Sequence, residues 1–169
     1  MVEKVSKKLA ILIYEANPQS SVSVLNYSIS VTLNFLAIMI FSILTGYFLG
    51  RLSETMTALF SFVILRSFSG GYHLKSLDGC VVATVAIMAF IPYVPMIKLT
   101  TVALNVVSAT LVMLLAPNNV FDEVKVSKEK YPLLKSISFI IVCTNFVFLS
   151  PIIALSFFVQ SLLLIPKRR

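Results

Sequence analysis

Charged residues are scarce in this sequence. Of its 169 residues, 12% are Asp, Glu, Lys or Arg and 58% are hydrophobic, and the mean hydropathy is +0.95. A soluble domain is usually about a quarter charged and about half apolar. The shortage of charge therefore argues against an ordinary soluble domain and predicts an integral membrane protein. The length suits a single membrane-embedded domain over residues 1–169.

Histidine and cysteine are also rare. Cys80 and Cys143 provide no disulfide framework, and the lone His73 cannot support a typical multi-histidine metal site. The chain has no HExxH motif, Walker A loop or GxGxxG sequence, so no metal and no cofactor is expected. Carboxylates are missing from the middle of the apolar runs, since Glu54 and Asp78 lie near their ends. That placement disfavours an ion-coupled pump.

The net charge is +7, which raises the question of a nucleic-acid partner. The basic residues, however, lie at the ends and in the gaps of the apolar runs rather than in one patch. This is where the positive loops of a membrane protein belong. We therefore expect a lipid bilayer and no nucleic acid as the surroundings of this chain.

The apolar runs predict an all-α polytopic membrane protein with about six transmembrane helices, the last two of them short. The predicted membrane segments are 25–50, 52–66, 80–97, 99–116, 136–149 and 151–165. Pro92 and Pro95 are expected to kink or end the third segment. As one helix, residues 136–165 would be about 45 Å long, which is too long for an untilted crossing. Ser150-Pro151 provides a turn at the middle of this run.

The distribution of positive charge favours six crossings over five. With six crossings and both termini inside, 12 of the 14 Lys and Arg residues are cytoplasmic and only Arg51 and Lys98 are outside. A single final crossing would move the three C-terminal charges outside and make the split 9 to 5, against the positive-inside rule. The prediction is a multi-pass protein of the plasma membrane with both termini and the polar gap 66–79 in the cytoplasm.

Residues 1–17 are predicted to form an amphipathic helix. Its apolar residues recur at three- and four-residue spacing: Val2, Val5, Leu9, Leu12 and Ala16. The charged residues between them are Lys4, Lys7, Lys8 and Glu15. Two roles that do not exclude each other stay open for this helix: packing on the bundle, and lying at an anionic membrane surface.

The polar gap and the residue after it read RSFSGGYHLKSLDGC, from Arg66 to Cys80. A thiolate is the nucleophilic form of cysteine and a neighbouring imidazole can accept its proton, so Cys80 and His73 are the candidate catalytic residues. In one helix they would lie about 10.5 Å apart along the axis, whereas proton transfer needs about 3 Å. The chain must therefore leave the helix between them, and Gly70-Gly71 and Asp78-Gly79 are turn signals.

The residues around this pair have predicted supporting roles. Cys80 opens the third segment, where helix N–H groups and the dipole favour a thiolate and can stabilise an oxyanion. Asp78 either caps that helix or orients His73. Arg66 is expected to hold a substrate carboxylate or a backbone carbonyl. Lys75 is explained by positive-inside anchoring.

An Arg, a double glycine, a His and a Cys at these spacings resemble the motif of the accessory gene regulator B (AgrB) family. The matching positions here are Arg66, Gly70, Gly71, His73 and Cys80. The layout of the whole chain is similar as well, including LAPNN before a Lys-rich loop. The resemblance implies a membrane-embedded cysteine endopeptidase of Gram-positive bacteria, with Cys80 as the nucleophile and His73 as the general base.

The resemblance also implies the partners. The substrate would be a precursor of the AgrD type with an amphipathic N-terminal helix and an acidic C-terminal tail. Cys80 would cleave it on the C-terminal side of the future ring, and an internal Cys or Ser would capture the thioester as a cyclic thiolactone or lactone signal for quorum sensing. Family members are described as dimers, so a homodimer is implied.

Two other functions stay open from the residues alone. The first is a small membrane transporter that exports a peptide without proteolytic activity. Its polar path would need residues within the apolar runs, and the candidates are Asn34, Asn105 and Asn145. In membrane helices such residues usually form interhelical hydrogen bonds. The second is a non-catalytic membrane scaffold.

Overall fold

The chain folds into a bundle of α-helices in the part that the computed structural model describes, residues 2–16, 21–72, 76–118 and 128–165. The α-helices in these ranges are α1 Val2–Ala16, α2 Val22–Phe48, α3 Leu52–Ser69, α4 Leu77–Phe90, α5 Lys98–Leu115, α6 Tyr131–Phe148 and α7 Pro151–Leu162. Short 3-10 turns are Ile91–Tyr93 and Lys128–Lys130. The described ranges contain no β-strand. The all-α prediction is confirmed.

Several of these helices have the length and composition of membrane-spanning segments. Helices α2, α5 and α6 are long and apolar enough to cross a bilayer, and α7 and the stretch Leu77–Tyr93 are shorter apolar helices. Their outward faces are apolar: Phe48 and Val147 are each 81% exposed. Such side chains belong in lipid rather than in water. The chain is thus built as a membrane protein, and the six crossings stay a prediction.

The last apolar run is divided into two helices at its middle. Helix α6 stops at Phe148, Leu149 is left-handed with φ 48°, and Ser150 caps α7. The side chain of Asn145 holds this turn, because it donates to Ser150 O (3.0 Å) and accepts from Ser150 N (3.1 Å). The same amide donates to Asn105 Oδ1 at 3.0 Å, so two buried asparagines bond α5 to α6.

Helix α1 packs on α2 through a face other than the apolar one. Ser6 and Ala10 are fully buried. The Ser6 hydroxyl donates to Asn26 Oδ1 (3.0 Å) and accepts from Ser30 Oγ (2.8 Å). Small side chains let two helices approach closely and bond through hydroxyls. The apolar side chains of Val5, Leu9 and Leu12 remain exposed, so packing on the bundle leaves the apolar face available to a membrane surface.

Helix α3 lies between the two apolar clusters of the core. One cluster joins α3 to α2 and α4, with Leu59 and Phe62 from α3. The other joins α3 to α5, α6 and α7, with Leu65 from α3. The C-terminal ends of α3, α5 and α7 meet at one end of the bundle, where residues 70–72 bond to Asn118 and Leu163.

Candidate active site

Cys80 lies in the first turn of α4 and is partly exposed. The helix is capped by Ser76, which has an extended backbone and whose Oγ accepts a hydrogen bond from Gly79 N at 3.3 Å. Asp78 lies inside the first turn, so the prediction that Asp78 is the cap is wrong. Ser76 is preferred because its hydroxyl reaches the third helical amide, as a capping side chain must.

The cap also limits where an oxyanion could bind. The amide of Cys80 donates to Ser76 O at 3.0 Å, and the amide of Gly79 donates to Ser76 Oγ. Both amides are therefore already hydrogen-bonded to Ser76 at the start of the helix. The expectation that the helix N–H groups stabilise an oxyanion fails for these two amides, and an oxyanion would need other donors.

The chain leaves the helical conformation at the double glycine. Helix α3 ends at Ser69, and Gly70 and Gly71 have φ values of 71° and 126°. Only glycine adopts such angles without strain. Since α4 begins only at Leu77, no single helix joins the two halves of the gap, as a His73–Cys80 pair requires. His73 and Lys75 themselves lie outside the described residues.

Arg66 fastens this turn from the last part of α3. Its guanidinium donates from Nη2 to Tyr72 O (2.9 Å) and from Nη1 to Gln160 Oε1 (3.2 Å), and Cζ lies 5.6 Å from the centroid of the Phe62 ring. Of the two predicted partners, the structure shows a backbone carbonyl, that of the residue before His73. The guanidinium also lies within electrostatic range of Cys80.

A hydrogen-bonded cluster, which we call the loop clamp, holds residues 69–72 in place. Its members are Arg66, Ser69, Gly70, Gly71, Tyr72, Asn118, Gln160, Leu163 and Leu164. Gly71 N donates to Asn118 O (2.7 Å), Tyr72 N to Leu163 O (2.8 Å) and Asn118 N to Ser69 O (3.1 Å). The side chain of Asn118 donates to Leu164 O at 2.8 Å, and Gln160 Nε2 donates to Ser69 Oγ and Gly70 O.

The roles of Asn118 and Gln160 could not be derived from the sequence pattern alone. Gln160 lies 90 positions from Gly70 along the chain, and nothing local connects them. One signal was present, because a long amide side chain inside an apolar run needs a polar partner. That signal does not say which partner it has. Asn118 belongs to the LAPNN sequence that contributes to the family resemblance.

Cys143, the second cysteine, is not a member of the loop clamp and has different neighbours. It lines an apolar groove of about 380 Å³ between α5 and α6, together with Met113, Phe139 and Phe146. These neighbours are hydrophobic, in keeping with a packing residue. Cys143 therefore serves as the matched control for Cys80 in thiol experiments.

The helices and the site define a class: an all-α membrane protein with a cysteine at a helix start, near an arginine that holds an adjoining glycine turn. The chain belongs to the accessory gene regulator B (AgrB) family, whose model matches residues 1–165. This family is associated with processing of the AgrD propeptide in quorum sensing. No curated protein and no solved structure gives a match to the chain. The resemblance read from the motif is confirmed.

Substituting alanine at Gly71 is expected to disable the site. An added Cβ would lie 3.2 Å from Gln160 Nε2 and 3.3 Å from Leu163 O, at a φ of +126°. Backbone strain of this kind costs about 1–3 kcal/mol. The contacts fall on atoms of the loop clamp, so the turn before His73 would shift. We expect Gly71→Ala to cleave propeptide about tenfold more slowly or worse, since small displacements at a reacting site are costly.

Gly50→Ala is the matched control for this substitution. Gly50 also has a positive φ, +65°, but an added Cβ would meet no atom within 4 Å. It lies at the opposite end of α3 from the loop clamp. Thermal unfolding should therefore report strain in both variants, while only Gly71→Ala loses cleavage. Equal cleavage by the two variants would contradict a role for the clamped turn.

Proposed function

We propose that this protein is a membrane cysteine endopeptidase that cleaves an AgrD-like propeptide through a thioester on Cys80. One observation carries the proposal: Cys80 lies in the first turn of α4, just after the polar gap, and Arg66 holds the carbonyl of the residue before His73 on the other side of the gap. A positive charge near a cysteine at a helix start favours the nucleophilic thiolate. The family association with AgrD processing supports the substrate class.

The proposed first step is acyl transfer to the enzyme. His73 accepts the proton of Cys80, and Sγ attacks the carbonyl carbon on the C-terminal side of the future ring. The tetrahedral intermediate collapses by breaking the C–N bond. The acidic C-terminal fragment leaves as an amine, which receives its proton from the His73 imidazolium. The N-terminal fragment stays bound to Cys80 as a thioester.

The proposed second step closes the ring. An internal Cys or Ser of the bound fragment gives its proton to the neutral His73 and attacks the thioester carbonyl. The tetrahedral intermediate breaks its bond to Sγ of Cys80, and the Cys80 thiolate recovers the proton from His73 as the thiolactone or lactone forms. Exchange of one thioester for another breaks one C–S bond and forms another, so its free-energy change is small. A thiolactone therefore forms without ATP, provided that water is excluded. A site at the membrane edge suits this need, and it suits a substrate with a membrane-lying amphipathic helix.

The alternative of an exporter without proteolytic activity has less support. It needs a polar path through the helices, for which Asn34, Asn105 and Asn145 were candidates. Asn34 Oδ1 is buried without a hydrogen-bond partner among the described residues. Asn105 and Asn145 bond to each other, and Asn145 also holds the turn at Ser150. Hydrogen bonding between helices is the role most often found for asparagine in membrane proteins. It explains Asn105 and Asn145 without a transport function.

Proteoliposomes separate the two functions. Purified protein is reconstituted and supplied with a synthetic AgrD-type propeptide that has an amphipathic N-terminal helix, an internal Cys and an acidic tail. Mass spectrometry then measures cleavage, and the lumenal fraction measures transport. The peptidase predicts a released C-terminal tail and an N-terminal product lighter by one water than the linear fragment. Uncut peptide accumulating in the lumen without cleavage would refute the proposal in favour of the exporter.

A further inference from the structure

Gln160 is a fully buried amide near the C-terminal end of α7 that takes no part in the proposed chemical steps. The two ends of its amide group have different partners. Oε1 accepts from Arg66 Nη1 at 3.2 Å. Nε2 donates to Ser69 Oγ at 3.1 Å and to Gly70 O. One side chain therefore connects the arginine and the glycine turn.

Burial makes these bonds specific. A buried amide that lacks partners costs free energy, so each end of Gln160 favours the arrangement in which its partners are in place. Hydrogen bonds are also stronger away from water than at an exposed surface. The amide accordingly resists both rotation of the guanidinium and displacement of the turn.

The charge of Arg66 is left intact by this arrangement. Among the described residues its acceptors are Gln160 Oε1 and Tyr72 O, both neutral carbonyl oxygens. A carboxylate in place of Gln160 would have held the guanidinium equally well but would have opposed its field. A neutral amide orients the positive charge and keeps it available to Cys80, which lies within electrostatic range.

We propose that Gln160 is a positioning residue of the peptidase, fixing both the Arg66 guanidinium and the turn that leads to His73. This role rests on the proposed function for its consequence in catalysis. It assigns to α7, which contributes no reacting group, the task of aligning two parts of the site. The effect of Gln160 on Cys80 therefore passes through Arg66.

The first test measures the reactivity of Cys80 without any peptide. In a Cys143→Ala background, iodoacetamide alkylates only Cys80, and its rate is measured against pH for wild type, Gln160→Met, Arg66→Met and the double variant. We expect Arg66→Met to lower the rate about fivefold at neutral pH and Gln160→Met about threefold. The double variant should match Arg66→Met alone, because Gln160 acts through the arginine.

Two results would overturn the proposal. The first is alkylation of Gln160→Met at the wild-type rate over the whole pH range. The second is that Gln160→Met lowers the alkylation rate of Cys80 by the same factor whether Arg66 is present or replaced by methionine. That result would indicate a general structural effect. Asn105→Leu is the control, since it also removes a buried amide hydrogen bond but is remote from the loop clamp. If Gln160→Met does not fold, Gln160→Asn repeats the test with an amide too short to span both partners.

The second test connects Gln160 to catalysis. We expect Gln160→Met to lower kcat for the synthetic propeptide about tenfold or more with KM little changed, because positioning acts on the transition state rather than on binding. Amide hydrogen exchange at Gly71 and Tyr72 should quicken in the same variant. Failure of this inference is distinct from failure of the proposed function: here Gln160→Met would cleave normally while Cys80→Ala is inactive.

Discussion

Replacing Cys80 with alanine is expected to lower the rate of propeptide cleavage by roughly 10⁴-fold or more, as removal of a catalytic nucleophile does in other peptidases. The side chain lies in the first turn of α4 and is only partly buried, so the substitution removes the thiol without opening a large cavity in the core. Cleavage of the synthetic propeptide in proteoliposomes measures the effect.

Two further variants show whether the loss of cleavage is specific to the thiol of Cys80. Cys143→Ala removes the other thiol, which lines the apolar groove between α5 and α6, and should cleave as the wild type does. Cys80→Ser keeps nearly the same shape but replaces the thiol with a far less acidic hydroxyl, so it should be almost as inactive as alanine. Cleavage by Cys80→Ser near the wild-type rate would point to a packing role for Cys80.

Replacing Arg66 with methionine is expected to lower cleavage by roughly 10²- to 10³-fold, comparable to removing one electrostatic group at an active site. The loss combines two effects. The turn before His73 loses its one bond from the guanidinium to Tyr72 O, and Cys80 loses a positive charge within electrostatic range. Arg66→Lys should recover only part of the rate, because an ammonium lacks the planar fork that reaches Tyr72 and Gln160 together.

Arg51→Met is the matched control for this second prediction. Arg51 precedes the same helix at its opposite end, where it pairs with Glu54 at 3.2 Å and lies 5.7 Å from the centroid of the Tyr93 ring. The change in charge and size is identical to that in Arg66→Met. Cleavage by Arg51→Met should be unchanged, and steady-state kinetics of both variants measure this. A similar loss in both would mean that net charge matters rather than the site.

The fold could be predicted from the sequence wherever local pattern decides it. The apolar runs are interrupted by Arg51, by the glycine turn and by Ser150-Pro151, and in the structure helices end or begin at each of these points. Helix ends of this kind depend on residues a few positions away. The cap of α4 was missed because Ser76 and Asp78 are both good capping residues, and only the backbone angles decide between them.

The loop clamp could not be predicted in the same way. Its partners come from α3, from the segment after α5 and from α7, and they meet only after the helices have packed. The face through which α1 packs on the bundle could not be predicted from the sequence for a related reason. Apolar spacing indicates the face that avoids water, but next to a membrane that face can remain on lipid while Ser6 and Ala10 pack inside.

The proposed mechanism requires a thioester at Cys80, and intact-protein mass spectrometry tests this requirement directly. The propeptide is made with its ring-closing residue replaced by alanine, so that the second step is blocked, and the reaction is quenched in acid. We predict a mass gain equal to that of the N-terminal fragment less one water, located on Cys80, removed by hydroxylamine and absent from Cys80→Ala. Release of the C-terminal tail with no adduct on Cys80, or continued cleavage by Cys80→Ala, would contradict the account.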